Sequence, residues 1–368
     1  MNERRDMSDI SDIGKQVVAN VATMFEAEET LRSIPDGIEW GHHGARQRLW
    51  WESPIEGEDG APDLVRLRIL TELAPLASDE EEWPVAVWTE FLGLSEDNLW
   101  CGPLLAEEME GHLCLAAAVS GHEGNAGYLP RVLFQAMAAQ AAVREALFES
   151  KFGGTLESLS ATGSAGAMRE LSDSFHLVLK NWEMEDDEEF LDGIEADFTF
   201  LIEQFQEFPC LMCNGDGDGL TAEFPFGRDS SLLRMDLTAE HPHFGPSICL
   251  TLGLPLSAEE SSGMFATILD LNRKEQTIHE IPWSLGSWYI DQQMSPRIGY
   301  RLWLPYALFQ PNLLINLGVG MVARARHCCE SIAGMSFEEA YPLAEEAIVS
   351  RLQNVLDMLG GEGDETER

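Results

Sequence analysis

The chain has 368 residues, of which 45% are hydrophobic, and its 64 Asp and Glu residues against 23 Lys and Arg residues give a formal net charge of -41. This length and hydrophobic content predict two packed domains rather than a disordered chain. The excess of acidic side chains argues against nucleic acid and anionic membranes as partners, because both are bound through clustered cations.

The first residues, MNERRDMSDISDIGK, contain no apolar run typical of a secretory signal, and no segment reaches the roughly 20 apolar residues of a membrane span. Seven cysteines, an odd number at irregular spacing, argue against a disulfide framework and suit a reducing compartment. We therefore expect a soluble cytoplasmic protein. Two explanations of the acidity stay open, namely adaptation to high salt and recognition of a partner.

The N-terminal half begins with an amphipathic helix whose apolar residues recur at helical spacing from Ile10 to Leu31, and Pro35-Asp36-Gly37 ends it. The elements predicted after this turn are strands at 38–40, 46–52 and 65–73, a helix at 83–94, strands at 99–107 and 111–119, and an Ala-rich helix from Tyr128 to about Phe152.

The C-terminal half repeats this order of elements. Its first helix places apolar residues from Phe190 to Phe208 on one face. The elements predicted after it are strands at 220–226, 231–238 and 247–256, a helix at 258–272, strands at 285–291 and 297–308, and a helix at 312–333. Both halves thus form an α-β-β-β-α-β-β-α unit, and strands interrupted by helices in this way predict the α+β class with antiparallel sheets.

Extra helices are predicted after each unit. The Gly-, Ser- and Thr-rich stretch GGTLESLSATGSAGAM is typical of a linker, and AMRELSDSFHLVLKNW after it predicts a helix. A last helix begins at Ser336, where Ser336 and Glu339 fit a capping box. The predicted organisation is a first domain at 1–152, a linker with a helix at 153–187, a second domain at 188–335, and a C-terminal helix with an acidic tail at 336–368.

This order of elements resembles the fold of type III secretion chaperones and of the related YbjN-like bacterial domains, once in each half. Apolar patterns correspond between the halves, as in VRLRILTEL with ICLTLGLPL and GHLCLAAAV with GYRLWLPYAL. The resemblance implies a family of small, acidic, cytoplasmic, non-enzymatic proteins that usually form homodimers and hold the extended N-terminal segment of an effector. Two copies in one chain imply a pseudo-dimer, present as a monomer or as a homodimer.

Period-two alternation sorts the side chains of the predicted strands into two faces. Arg46, Arg48 and Trp50 fall on one face of their strand, and Arg66 and Arg68 fall on one face of the next strand. If the two strands pair, these four arginines and the tryptophan share a solvent face. Arg and Trp are enriched at binding hot spots, so this face is a predicted partner-binding surface.

The other half repeats this combination of Arg and Trp. Arg301 and Trp303 alternate with Tyr300, Leu302 and Leu304, and we include them in the predicted partner-binding set. The alternative interpretation is that all these arginines only balance nearby acids and stack on tryptophan.

The stretch CNGDGDGLTAEF contains the first half of a helix-loop-helix calcium loop, with Asn214, Asp216 and Asp218 at ligand positions. The last ligand position of such a loop is Pro225, which has no side-chain oxygen. A tight turn therefore explains the stretch better than a calcium site. The corresponding turn of the first half has an Asp-Gly pair without the other ligands.

Cys210 and Cys213 have the spacing of a redox or zinc motif. A zinc site needs two further ligands, and no second Cys pair stands at metal spacing. A redox pair usually precedes a helix, whereas this pair follows one. The sequence therefore predicts unreactive cysteines, no metal and no cofactor.

Taken together, the sequence predicts a non-catalytic, acidic, chaperone-like binding protein. It would hold a protein or peptide client on sheet and helix surfaces, and its charge would favour basic clients. No nucleophile-elbow, phosphate-loop or metalloprotease motif occurs in the sequence. The alternative is an enzyme or ligand-binding protein with a site in the cleft between the two domains.

Overall fold

A computed structural model describes thirteen ranges of the chain, and all statements below concern them. They are 7–25, 31–42, 45–52, 64–75, 104–109, 112–143, 187–207, 210–241, 245–255, 264–278, 281–291, 297–306 and 309–361. These ranges contain helices and two antiparallel sheets, so the predicted α+β class is confirmed. No helix within them is both long and apolar enough to span a membrane.

The first unit contains two described helices and six strands. In chain order they are α1 (Met7–Met24), β1 (Leu31–Ile34), β2 (Gly37–His42), β3 (Ala45–Trp51), β4 (Val65–Pro75), β5 (Leu104–Met109), β6 (His112–Gly121) and α2 (Leu129–Val143).

The second unit has the same elements, with one more helix and one very short strand. In chain order they are α3 (Asp187–Glu207), β7 (Met212–Asp216), β8 (Gly219–Phe226), β9 (Asp229–His241), β10 (Gly245–Leu254), α4 (Met264–Glu275), β11 (Trp283–Ser284), β12 (Ser287–Asp291), β13 (Arg297–Pro305) and α5 (Leu313–Ser331). A final helix, α6 (Phe337–Gly361), follows this unit.

The two sheets share one strand order. The first sheet runs β1-β2-β3-β4-β6, and β5 pairs with the other edge of β6. The second sheet runs β7-β8-β9-β10-β13-β12, which is the same order. The short β11 of the second unit also pairs with β6, where Trp283 lies opposite Val119, so the second unit completes the edge of the first sheet.

Each unit has four strands before its middle helix position, one more than the sequence predicted. Leu31, which we assigned to the first helix, lies in β1, because α1 ends at Met24. The turns at Pro35-Asp36 and Gly217-Asp218 therefore join two strands of a hairpin rather than a helix and a strand. The helix predicted at 83–94 and the linker helix before residue 187 lie outside the described residues.

Glycines at equivalent positions of the two hairpins show how closely the units correspond. A Cβ atom on Gly37 would lie 2.0 Å from the carbonyl oxygen of Leu49, and one on Gly219 would lie 2.2 Å from that of Met235. Neither distance is compatible with a side chain. Both positions therefore require glycine because the next strand approaches so closely.

Helices cover the inner face of each sheet. α1 and α2 pack on the first sheet, and α3, α5 and α6 pack on the second. α2 is buried around its whole circumference from Val132 to Ala141, since Val132 and Gln135 also lie beside Leu313 and Leu317 of α5. One continuous hydrophobic core therefore spans both units.

The predicted capping box at the start of α6 is confirmed. The Glu339 carboxylate accepts the Ser336 backbone N–H at 3.1 Å, and the Ser336 hydroxyl accepts the Glu339 N–H at 3.3 Å. The two bonds satisfy donors that the first turn of a helix leaves without partners. Phe337 then begins α6 and stacks on Phe224 of the second sheet.

Candidate functional site

The arginines and the tryptophan of β3 and β4 share the outer face of the first sheet, as predicted. Trp50 lies opposite Arg68, and Arg48 lies opposite Leu70. The neighbouring Gln47 faces the other way, since its amide donates to the carbonyl oxygen of Met137 in α2. The outer face is thus the one that α1 and α2 leave uncovered.

One row of residues crosses the outer face of the first sheet. Ile34, Gly37, Trp50, Arg68 and Ala118 lie opposite one another on consecutive strands. Gly37, which stands between Ile34 and Trp50 in this row, has no side chain. We call these five residues the Trp50 row.

A cavity of about 390 Å³ occupies this part of the sheet. We call it the sheet groove and define it by six of its lining residues, Ile34, Asp36, Arg48, Trp50, Arg68 and Leu70. Trp50 also packs on Leu70 and on the small side chains of Cys114 and Ala116. The groove therefore has an apolar floor on a face where strands of a two-layer unit usually present polar side chains.

The arginines in and beside the groove have acidic partners. Arg48 Nε donates to Glu39 Oε2 at 2.8 Å, and Arg68 Nη1 donates to Glu52 Oε1 at 3.2 Å. The Arg68 guanidinium also lies 5.2 Å from the centre of the Trp50 ring. These contacts agree with the alternative interpretation, in which arginines balance acids and stack on tryptophan.

Arg46 lies one row further along and is also paired. Its Nε donates to Glu72 Oε1 at 2.8 Å, and its backbone N–H donates to Glu72 Oε2 at 3.1 Å. Arg46 is thus paired with an acid of the neighbouring strand and is not part of the groove.

Asp36 is the acidic residue of the groove rim. Its side chain is exposed at the turn between β1 and β2, and within the described ranges its carboxylate has no hydrogen-bond donor and no cationic partner. Its backbone carbonyl accepts the N–H of Trp51 at 3.0 Å, which fixes the turn against β3. The turn that carries the carboxylate is therefore fixed, and the side chain itself is exposed.

Arg66 differs from the prediction, because it is fully buried rather than on a solvent face. Its Nη1 donates to the Ile281 carbonyl oxygen at 2.7 Å, and its Nη2 donates to the Glu275 carbonyl oxygen at 3.0 Å. Glu275 of α4 and Ile281, which precedes β11, thus lie over this end of β4. Burial lowers the pKa of Arg66 to about 10, and the residue joins the two units instead of lining a binding surface.

A buried charged cluster lies where Arg66 meets the second unit. Arg324 of α5 donates from Nε to Glu275 Oε1 at 2.8 Å and from Nη2 to Glu275 Oε2 at 3.0 Å. Trp288 Nε1 also donates to Glu275 Oε1, at 3.2 Å, and the Tyr300 ring centre lies 4.0 Å from the Arg324 guanidinium. Packed side chains fill this part of the boundary between the units, so it gives no support to a ligand site in an inter-domain cleft.

The equivalent row of the second sheet has a different composition. Starting from Gly219, which corresponds to Gly37, the row consists of Asp216, Gly219, Asp236, Cys249 and Trp303. Acidic residues thus stand where the first sheet has Ile34 and Trp50. Both aspartates are exposed.

Arg301 and Trp303 lie on the outer face of the second sheet, away from the other predicted residues. Tyr300, Leu302 and Leu304 are buried, as their alternation predicted. Arg301 Nη2 donates to the Tyr289 hydroxyl at 3.1 Å, and the Trp303 ring packs edge-on against the buried His241. The two predicted sets therefore do not form one surface.

The stretch with Asn214, Asp216 and Asp218 forms the β7-β8 hairpin. Asp216 Oδ1 accepts the backbone N–H groups of Asp218 and Gly219, each at 3.1 Å. A carboxylate that caps a turn in this way explains the local sequence without an ion. Within the described ranges, no three His, Cys, Asp or Glu side chains come close enough together to hold a metal.

Cys210 and Cys213 lie beside the same hairpin, and burial raises the pKa of both thiols. The pKa of Cys210 rises to about 11, and its Sγ also donates to the Met212 carbonyl oxygen at 2.7 Å. A raised pKa reduces the thiolate fraction, which is the reactive form. The raised pKa therefore disfavours the reactive form of both thiols.

Ile34, Asp36 and Leu70 are groove residues that the sequence did not single out. Ile34 and Asp36 belong to the hairpin that we read as the end of a helix. The signal that was available is the sequence Ile-Pro-Asp-Gly followed by alternating residues, which is typical of a hairpin turn.

Comparison of the chain with protein-family models gave no match, and comparisons with curated proteins and with solved structures gave no significant match.

Proposed function

We propose that this protein is a non-catalytic binding protein that holds a segment of a client protein in the sheet groove. The observation that carries the proposal is an apolar groove on the outer face of one sheet and acidic residues at the equivalent place of the other. The two units share a strand order, so fold alone does not require Trp50 and Ile34 there. The volume of the sheet groove, about 390 Å³, is also in the range of pockets that bind small ligands.

The chemistry of the groove suits protein recognition. A half-buried tryptophan with a small apolar surround is a typical hot spot, because truncating such a residue removes both area and a shaped surface. Trp50 also has its ring orientation restricted by Arg68. A pre-oriented anchor loses less conformational entropy when a partner binds.

Kinship with type III secretion chaperones and YbjN-like domains is part of this proposal. The repeated strand order and the acidic composition support it, and the kinship would imply a cytoplasmic protein whose two units replace a homodimer. It would also imply that the client is an extended segment of another protein.

A random peptide library displayed on phage tests the proposal with the full chain as bait. We expect the wild type to enrich a set of related peptides, and Trp50→Ala to lose them, since hot-spot truncation costs about 2 kcal/mol or more. Phe200→Ala is the control, because Phe200 is an exposed aromatic residue of α3, outside the groove. Thermal unfolding of each variant shows whether it is folded.

A second variant keeps the test independent of the stability of Trp50→Ala. Ile34 ends the edge strand β1 and is half-buried, so Ile34→Ser changes the groove wall with little effect on the core. We expect it to weaken binding of the same peptides. Absence of enrichment by the wild type, or undiminished binding by both folded variants, would overturn the proposed function.

A further inference from the structure

Resting on the proposed function, we infer that the sheet groove selects client segments in which a Lys or Arg stands beside an apolar side chain. The apolar side chain would enter the sheet groove between Ile34 and Trp50, and the cation would meet the carboxylate of Asp36. The ligand class is thus a basic, partly apolar peptide segment.

The apolar half of this specificity comes from Ile34 and Trp50, which both line the sheet groove. Gly37 places no side chain between them, and a Cβ atom there would lie 2.0 Å from the Leu49 carbonyl oxygen. Ile34 and Trp50 stand on either side of Gly37 in the Trp50 row. A side chain from a partner can occupy this space and remove the apolar surface of both residues from water.

The preference for a basic residue follows from the pairing of the charged residues in the groove. Arg48 is paired with Glu39, and Arg68 is paired with Glu52 and stacked on Trp50. Asp36 has no such partner within the described ranges. The charge in the groove that has no partner of its own is therefore the negative charge of Asp36.

The charge of the whole molecule acts in the same direction. With a formal net charge of -41, the chain attracts basic segments and repels acidic ones over a distance set by the salt concentration. Long-range attraction raises the rate of encounter, while the short contact with Asp36 distinguishes one basic position from another. Both effects require a cation in the client.

The second unit provides a built-in comparison. Asp218 occupies the same turn position as Asp36, since its carbonyl accepts the N–H of Leu237 at 2.9 Å as that of Asp36 accepts Trp51. Its neighbours on the Gly219 row are Asp216 and Asp236, where the first sheet has Ile34 and Trp50. Asp218 thus has the carboxylate but lacks the partner site for an apolar side chain.

The test uses the peptides that the wild-type chain enriches, synthesised with each Lys or Arg in turn replaced by Gln. Fluorescence anisotropy gives the dissociation constants for the wild type, Asp36→Asn and Asp218→Asn. For one basic position, we expect replacement by Gln to weaken wild-type binding about 3- to 10-fold. Asp36→Asn should weaken binding of the parent peptide by a similar factor, and the Gln replacement should then have almost no further effect. Asp218→Asn should bind both peptides as the wild type does.

The outcomes separate this inference from the proposed function. The basic specificity would be overturned if the enriched peptides contained no basic residues. It would also be overturned if the wild type and Asp36→Asn bound the parent peptide equally. Binding that depends on Trp50 would stand in either case. Equal losses in Asp36→Asn and Asp218→Asn would also overturn the basic specificity, because they would reflect only overall charge. If the wild type enriches no peptide, both proposals fall.

Discussion

At the scale of single residues, the start of α5 depends on a carboxylate from another helix. Asn312, the residue before α5, has a positive φ of 70° and makes no side-chain cap. Asp197 of α3 instead accepts the Asn312 N–H on Oδ1 at 3.0 Å. The acid therefore satisfies a donor at the start of α5 and ties α3 to α5.

We predict that Asp197→Ala lowers the free energy of unfolding by about 1–2 kcal/mol, the usual cost of a lost helix cap. Asp197→Asn should lose less, because its amide oxygen still accepts a hydrogen bond. Urea unfolding followed by circular dichroism measures both values. Equal losses for the two variants would contradict the capping role.

His122 makes stability depend on pH. Its Nδ1 accepts the N–H of Gly124 at 3.0 Å, and burial lowers the pKa of His122 below its ordinary value of 6.5. The folded state thus favours the neutral ring. Stability from this residue is fully present above the unfolded-state pKa and decreases as the pH falls below it, because the unfolded chain then binds the proton more readily.

The measurement is the urea midpoint of the wild type and of His122→Asn between about pH 7.5 and pH 5, a range that spans the ordinary histidine pKa. The wild type should lose more stability than the variant over this range. Other titrating groups act on both proteins and cancel in the difference. Parallel curves would show that His122 does not contribute.

At the scale of elements, the two equivalent hairpins depend on glycine. We predict that Gly37→Ala and Gly219→Ala each destabilise the protein by about 1–3 kcal/mol or more, because the added Cβ meets backbone that cannot rotate away. Gly217→Ala is the matched control, since a Cβ there meets nothing within 4 Å. Urea unfolding should place the control within about 0.5 kcal/mol of the wild type, and an equal loss in all three would refute the steric explanation.

Alternation within strands could be predicted from the sequence, but the first strand of each unit was missed. The side chains of β3 and β4 alternate between the two faces of the sheet with a period of two residues, and this alternation placed Arg48, Trp50 and Arg68 together. β1 was missed because Leu31 continues the helical spacing of α1. β7 was missed because Asn, Gly and Asp are depleted in strands, and its pairing with β8 overrides that local preference.

At the scale of the whole molecule, Arg66 shows what a local pattern cannot reveal. Its alternation assigns it to the outer face correctly, yet the group that covers it is the Ile281 carbonyl, 215 residues away. Burial by a distant segment leaves no trace in the spacing of nearby residues. The groove was missed for a different reason, since its wall includes Ile34 and Asp36 of the hairpin that was read as the end of a helix.

We predict that Arg66→Met costs about 3 kcal/mol of stability, since it removes two hydrogen bonds to the second unit and leaves the buried Ile281 carbonyl without its donor. The control is Arg48→Met, whose ion pair with Glu39 is partly exposed and should contribute about 1 kcal/mol or less. Urea unfolding gives the values. A loss in Arg66→Met no larger than that in Arg48→Met would contradict its role at the boundary.

We also predict that the two units are unstable apart. α2 is buried on all sides, partly by α5, so a chain ending after the first unit would expose an apolar helix face. Each unit expressed alone should self-associate in light scattering, and co-expression of the two should give a one-to-one complex. Two separately monomeric, folded units would disprove the dependence.

The strand β11 also has a consequence for synthesis of the chain. β6 leaves the ribosome well before Trp283 and Ser284, which pair with Val119 and Ala118. At usual translation rates the delay is on the order of ten seconds or longer. During that interval the nascent first sheet has an unfinished border and an uncovered guanidinium, so its maturation must wait for the later half of the polypeptide.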